Sequence, residues 1–206
     1  MQPDGTAVDL SAPATGATIT ARQFAPYKTG APLPPHYLDY FYGALHPSPD
    51  GTWIVAAGWI WHPVGAPRLW NLRHWLHEIP FEPEDGGSVR VLRHVSYHWN
   101  DPMCWLDDSH VAVSGIGHDD DALIAGVEIF DAATGTTTAR LAGPSGPLHS
   151  DGRRLYSSGT DGLEVWDPQT GERTGQVPGF IPTRYHRASR QFAALKDNVL
   201  TYWPAR

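Results

Sequence analysis

The chain is poor in several things, and each shortage narrows what it can be. Its 206 residues hold one cysteine, Cys104, which excludes an internal disulfide and suits a reducing compartment. Basic residues are few: 15 Lys and Arg against 22 Asp and Glu leave a net charge of −7. Nucleic-acid and anionic-membrane partners call for a basic footprint, and this chain carries the opposite sign. No apolar run approaches the ~20 residues of a membrane-spanning helix. The opening Met1-Gln-Pro-Asp-Gly has neither the basic head nor the apolar stretch of a secretory leader. A soluble cytoplasmic protein is the expectation. Catalytic signatures are missing as well: there is no Gly-x-Ser-x-Gly elbow, no phosphate loop and no dinucleotide fingerprint. Cys104 stands in Pro-Met-Cys-Trp-Leu, the apolar setting of an inert thiol.

What the chain has in quantity is turn formers and aromatics, with 21 Gly, 19 Pro and nine Trp. That mixture points to many short strands and an all-β fold. Two phrases recur. The first is a turn, an apolar strand and a Gly: Asp50-Gly-Thr-Trp-Ile-Val-Ala-Ala-Gly58, Asp151-Gly-Arg-Arg-Leu-Tyr-Ser-Ser-Gly159, Asp107-Asp-Ser-His-Val-Ala-Val-Ser-Gly115, and a degraded copy over 188–195. The second is a strand closing on Thr-Gly, followed by another strand: Gly162-Leu-Glu-Val-Trp-Asp-Pro-Gln-Thr-Gly171, Gly126-Val-Glu-Ile-Phe-Asp-Ala-Ala-Thr-Gly135 and, more loosely, Ala7-Val-Asp-Leu-Ser-Ala-Pro-Ala-Thr-Gly16. Period-two alternation bounded by Gly, Pro and Asp is the mark of hairpins. The phrases alternate, so the unit is four strands, here a to d, with a turn at Asp-Gly between a and b and another at Thr-Gly between c and d.

Ser48-Pro-Asp-Gly51, Trp166-Asp167 with its echoes Phe130-Asp131 and Trp70-Asn71, and the Asp-x-x-Thr-Gly turns resemble WD-repeat and bacterial surface-layer-type β-propeller repeats. The resemblance covers about 1–24 and 42–206 and implies an all-β propeller of about four four-stranded blades. The Gly-His dipeptide that such repeats place before strand a is absent there. Gly117-His118 lies between strands b and c instead, so the family's hydrogen-bonded tetrad does not carry over. The expected layout is a single domain: blade I over 42–96 with an insertion at 73–87, blade II over 100–142, blade III over 145–178, and blade IV over 182–206 lacking its strand d. Residues 17–24 would supply that strand and close the ring, leaving a strand at 6–10 without a place. Residues 25–41 read as a proline-rich loop. In the insertion, Asn71 is a fair N-cap for two helical turns ended by Pro80.

Three groups of residues are candidates for function. Trp59, Trp61, His62, Trp99, His118 and Phe180 fall in b–c or d–a loops, which share one propeller face, and would form an aromatic rim for a protein or peptide. His46, His149 and His186 occupy similar places on strand a of three blades. If they converge on the axis, with His98 nearby, they would hold a divalent transition metal. Asp119, Asp120 and Asp121 are hard oxygen ligands on a Gly-bounded loop, though without the alternate spacing of calcium loops, and an acidic loop in solvent is the plainer reading. The leading function is a non-enzymatic binding scaffold without cofactor. The alternative is a metal-dependent lyase, hydrolase or oxygenase built on the three histidines, and a homo-oligomer that completes the ring from two chains is a third possibility.

Overall fold

A computed structural model of the protein describes residues 35–61, 63–118 and 122–205. The expected closing strands at 1–24 and most of the proline-rich loop lie outside the described residues. The first stretch runs β1 (Leu45–Pro47), β2 (Trp53–Ala56), β3 (Trp59–Ile60), β4 (Val64–Gly65) and β5 (Arg68–Asn71), then helices α1 (Leu72–His77) and α2 (Glu82–Asp85), then β6 (Arg90–Val91) and β7 (Val95–Ser96). The second runs β8 (Met103–Trp105), β9 (His110–Ile116), β10 (Ile124–Asp131) and β11 (Thr137–Ala142). It continues through β12 (Leu148–Ser150), β13 (Leu155–Gly159), β14 (Gly162–Trp166) and β15 (Arg173–Pro178). The last is β16 (Arg184–His186), β17 (Gln191–Lys196) and β18 (Val199–Pro204). The fold is all-β, and the described residues form five antiparallel sheets: sheet I is β1-β2-β5-β6, sheet II β8-β9-β10-β11, sheet III β12-β13-β14-β15, sheet IV the three-stranded β16-β17-β18, and a small sheet β3-β4-β7 stands apart. No described helix is long and apolar enough to cross a membrane.

The recurring phrases have a shared mechanism. Asp131 Oδ1 accepts from the backbone N–H of Thr134 at 2.8 Å and from its hydroxyl at 2.7 Å, while the Gly135 N–H donates to Asp131 O at 2.8 Å. Asp167 Oδ1 accepts from the backbone N–H groups of Gln169 and Thr170, and Gly171 N–H closes on Asp167 O at 2.9 Å. Gly135 and Gly171 stand at φ 72° and 76°, in the left-handed region where a side chain is strained, which is why the phrase ends in glycine. At the a–b turns Asp50 and Asp151 accept in the same way from the N–H groups that follow them. Hydrogen bonds from Ser48 and Thr52 hold the Asp50 carboxyl down to about 2. In the insertion, Asn71 Oδ1 caps α1 by accepting from Arg73 N–H and His74 N–H at 3.0 Å each.

Sheets I to IV stack in chain order. Residues paired across a ladder point to the same face, and successive residues point to opposite faces. Val55 and Leu69 of sheet I therefore meet Met103, Trp105, Val111 and Phe130 of sheet II. Ala112 and Ile129 on the other face of sheet II meet Leu148, Leu155 and Trp166 of sheet III. Tyr156, Leu163 and Val165 on the far face of sheet III meet Phe192 and Trp203 of sheet IV. The near end of the stack is closed by the segment around Tyr40 and by Trp75, which pack on Ile54 and Trp70. The far end differs: Leu195, Leu200 and Tyr202 share the outer face of sheet IV and are 60%, 51% and 60% exposed. Among the described residues sheet IV has three strands, where sheets I to III have four.

One polar network crosses the first interface. The Arg93 and Glu128 side chains are both wholly buried. Arg93 donates to Asp101 at 3.0 Å, to Glu128 at 3.4 Å and to the carbonyls of Ser114 and Gly115, and Glu128 also accepts from Arg140 Nε at 2.6 Å. This ties the strand that leaves sheet I to the middle of sheet II. Breaking a buried ion pair from one side leaves an uncompensated charge. Arg93→Met is expected to cost about 3–5 kcal/mol in urea unfolding, and adding Glu128→Leu should recover part of that loss; additive losses would show that the pair is not coupled.

Candidate functional site

The small sheet β3-β4-β7 grows from the b–c loop of sheet I and carries the aromatic residues singled out in the sequence. Phe41 and Trp59 exchange backbone hydrogen bonds at 2.8 and 3.1 Å, so the chain before β1 extends this sheet by one bridge. The Phe41 ring stacks on Trp59 at 4.2 Å, and Trp59 lies 6.0 Å from Trp99 and 6.2 Å from Trp61. Trp61 is 62% exposed, and Phe41 and Trp99 are also open to solvent. Gly65 is required for this arrangement, because a Cβ there would sit 1.4 Å from the carbonyl oxygen of His98. The loop that presents Trp99 is strained: Tyr97 and Asn100 hold φ of 61° and 57°. Positive φ is costly for an aromatic residue and persists where the surroundings impose it, commonly at functional sites. The segments 36–43, 58–66 and 94–102 that build this face include Asp39 and Asp101 but no Lys or Arg.

A second feature is a cleft of about 390 Å³ where the first strands of sheets I to III approach the turn after β16. His46, Trp105, His149 and Tyr185 are among its lining residues. The Trp105 indole N–H donates to His46 O at 2.7 Å, and Arg187 donates to the carbonyls of Trp105 and Leu106 at 2.8 and 3.2 Å, so side chains pin these strands together. The His149 ring lies 5.5 Å from both Tyr185 and Phe192. Burial pulls its imidazole down to about 4 and lowers His46 as well. Burial pushes the Cys104 thiol up to about 12, which keeps it protonated and unreactive.

The structure divides the residues that the sequence grouped together. Trp59, Trp61 and Trp99 meet, joined by Phe41, which the loop pattern did not include. His118 lies in the loop after β9, 3.7 Å from Glu128 and 3.4 Å from Arg140. Phe180 is half-buried and packs against the edge of the core between sheets III and IV. His62 and Asp119, Asp120 and Asp121 fall outside the described residues. Of the three histidines expected on the axis, His46 and His149 share the cleft. His186 is exposed, and its Nδ1 is 2.8 Å from the Ser189 hydroxyl within its own turn. Its ladder partner is Gln191, so it lies on the outer face of sheet IV, opposite to Tyr185. Among the described residues no group of three or more His, Cys, Asp or Glu is placed to hold a metal ion. No protein-family model matches the chain, and no curated protein matches its sequence significantly.

The two depressed imidazoles give stability a definite pH dependence. Below the ordinary value of 6.5 the unfolded chain takes up protons at His46 and His149 that the folded chain refuses, so stability is lost as the pH falls. For His149 the loss runs from about 6.5 down to about 4. The depressed carboxyl of Asp50 acts below this window, since its folded value is about 2. Urea unfolding at pH 7, 5.5 and 4.5 is expected to show a loss of about 2–3 kcal/mol across that range. His149→Leu should flatten the slope; an unchanged slope would place the proton uptake elsewhere.

Proposed function

We propose that this protein is a non-enzymatic binding module that takes a protein or peptide segment on the aromatic face formed by Phe41, Trp59, Trp61 and Trp99. The observation that carries the reading is the joined set of four rings on a sheet that departs from the repeated four-strand plan, with Trp61 62% exposed. Exposed, preorganised Trp side chains supply large contact area at low entropic cost. The absence of Lys and Arg from the segments that build the face favours a partner with cationic side chains, which also gain from contact with indole faces. Peptides selected from a random display library against the intact protein should lose about tenfold or more in affinity with either Trp61→Ala or Trp99→Ala, at an unchanged melting temperature. Selected peptides indifferent to both substitutions would remove the aromatic face from consideration.

The architecture belonging to this reading is a small propeller of about four blades, with sheets I to IV as consecutive blades and residues 17–24 as the missing outer strand of the last. Two observations support it: sheets I to III share one meander order, and among the described residues the outer edge of β18 has no strand paired to it. The pairing can be transferred from the complete sheets. Phe130 opposes Thr137 and Trp166 opposes Arg173, each two residues beyond the turn glycine, and Ile129 opposes Ala139 while Val165 opposes Gly175. Counting from Gly16 sets Trp203 opposite Thr18 and Tyr202 opposite Thr20. A Thr20→Cys, Tyr202→Cys pair in a Cys104→Ser background is expected to form an intramolecular disulfide under mild oxidation, since opposed Cβ atoms lie about 4.5–5.5 Å apart. A disulfide-linked dimer would assign the strand to a second copy, and a chain that stays reduced would refute the closure.

A further inference from the structure

We infer that the cleft at the inner end of the stacked sheets is a binding site for a small organic anion, a carboxylate attached to a planar apolar body. The inference is independent of the aromatic face. The first observation is charge. In a chain of net charge −7, the residues lining this cleft include one cation, Arg187, and no Asp or Glu. The Arg187 guanidinium is anchored by the carbonyls of Trp105 and Leu106, and among the described residues it forms no ion pair. The nearby Asp151 carboxylate is already engaged by the N–H groups of Arg153 and Arg154 and by the Tyr156 hydroxyl. A half-buried cation held by neutral dipoles leaves its charge uncompensated until an anion arrives.

The second observation is unspent hydrogen-bonding capacity. His46 and His149 both line the cleft, and their rings make no hydrogen bond to another described residue. Neutral imidazoles each offer one N–H donor, so two donors and one guanidinium line the same space. The third observation is the character of the walls. Leu45, Pro47, Met103 and Leu148 are apolar, and the Trp105 and Tyr185 rings stand beside them. Such walls reject a fully hydrated ion and accept a flat hydrocarbon body, the usual make-up of a small-molecule site. A volume of about 390 Å³ is large enough for a bicyclic ring.

The test uses the intact protein and three probes at neutral pH: 2-naphthoate, the uncharged 2-naphthamide and inorganic phosphate. Naphthoate is expected to bind at least tenfold more tightly than naphthamide, and phosphate to bind more weakly than naphthoate. Nuclear Overhauser effects should run from the naphthyl protons to the Trp105 and Tyr185 rings. Arg187→Gln should abolish the preference for naphthoate, and His149→Leu should weaken its binding by about fivefold, the value of one neutral hydrogen bond. Naphthamide binding as tightly as naphthoate would overturn the role of charge, and phosphate binding as tightly would overturn that of the apolar walls. Absence of binding, or contacts to other rings, would overturn the site itself. Should either variant fail to fold, the ranking of the three probes and the contacts to Trp105 and Tyr185 in the unsubstituted protein decide the question alone.

Discussion

Each inner sheet of this protein must bury two faces against two different neighbours, and the remaining architecture follows from that constraint. Leu155 and Tyr156 are adjacent in β13 and both wholly buried, yet Leu155 belongs to the core with sheet II and Tyr156 to the core with sheet IV. A one-residue slip in any ladder would exchange the two sets and spoil both interfaces at once. The Asp-anchored turns hold the register against such slips. They fix where each strand begins, and they do so with hydrogen bonds that span only a few residues. The stack ends where this logic stops: the near end is covered by Tyr40 and Trp75, whereas the outer face of sheet IV keeps Leu195, Leu200 and Tyr202 in contact with water.

Polar side chains link the sheets as well as apolar contact. Arg93 joins the exit from sheet I to Glu128 of sheet II, Trp105 reaches back to His46, and Arg187 reaches from the turn of sheet IV to β8. These interactions run between sheets and not along them, so they resist sliding of one sheet across another. They also leave a particular electrostatic environment. Carboxylates dominate the chain, but the cleft lining carries only a cation and two imidazoles that burial keeps uncharged.

The chain departs from its own repeat mainly in sheet I. Sheets II and III follow the plan with little addition, and their tryptophan or phenylalanine at the end of strand c is buried. Sheet I adds a small sheet and two short helices, and the exposed aromatic face belongs to that addition. Its strained loop at 97–100 and the close approach at Gly65 are features that packing of the repeat alone does not require.

Much of this was legible in the sequence. Asp-x-x-Thr-Gly and Asp-Gly specify turns through bonds within five residues, and alternation of period two specifies strands, so the all-β class, the order of strands a to d and the helix cap at Asn71 could be read directly. The grouping of functional residues could not be read in the same way. That Phe41 stacks on Trp59, that Phe180 packs against the core edge and that His186 takes the outer face of sheet IV depend on which face each residue takes and on which neighbour arrives there. Local sequence therefore determined the strands, turns and caps, because their hydrogen bonds span only a few residues. Tertiary structure alone decided which rings meet and which side chains line the cleft with Arg187, because those contacts join segments far apart in the chain.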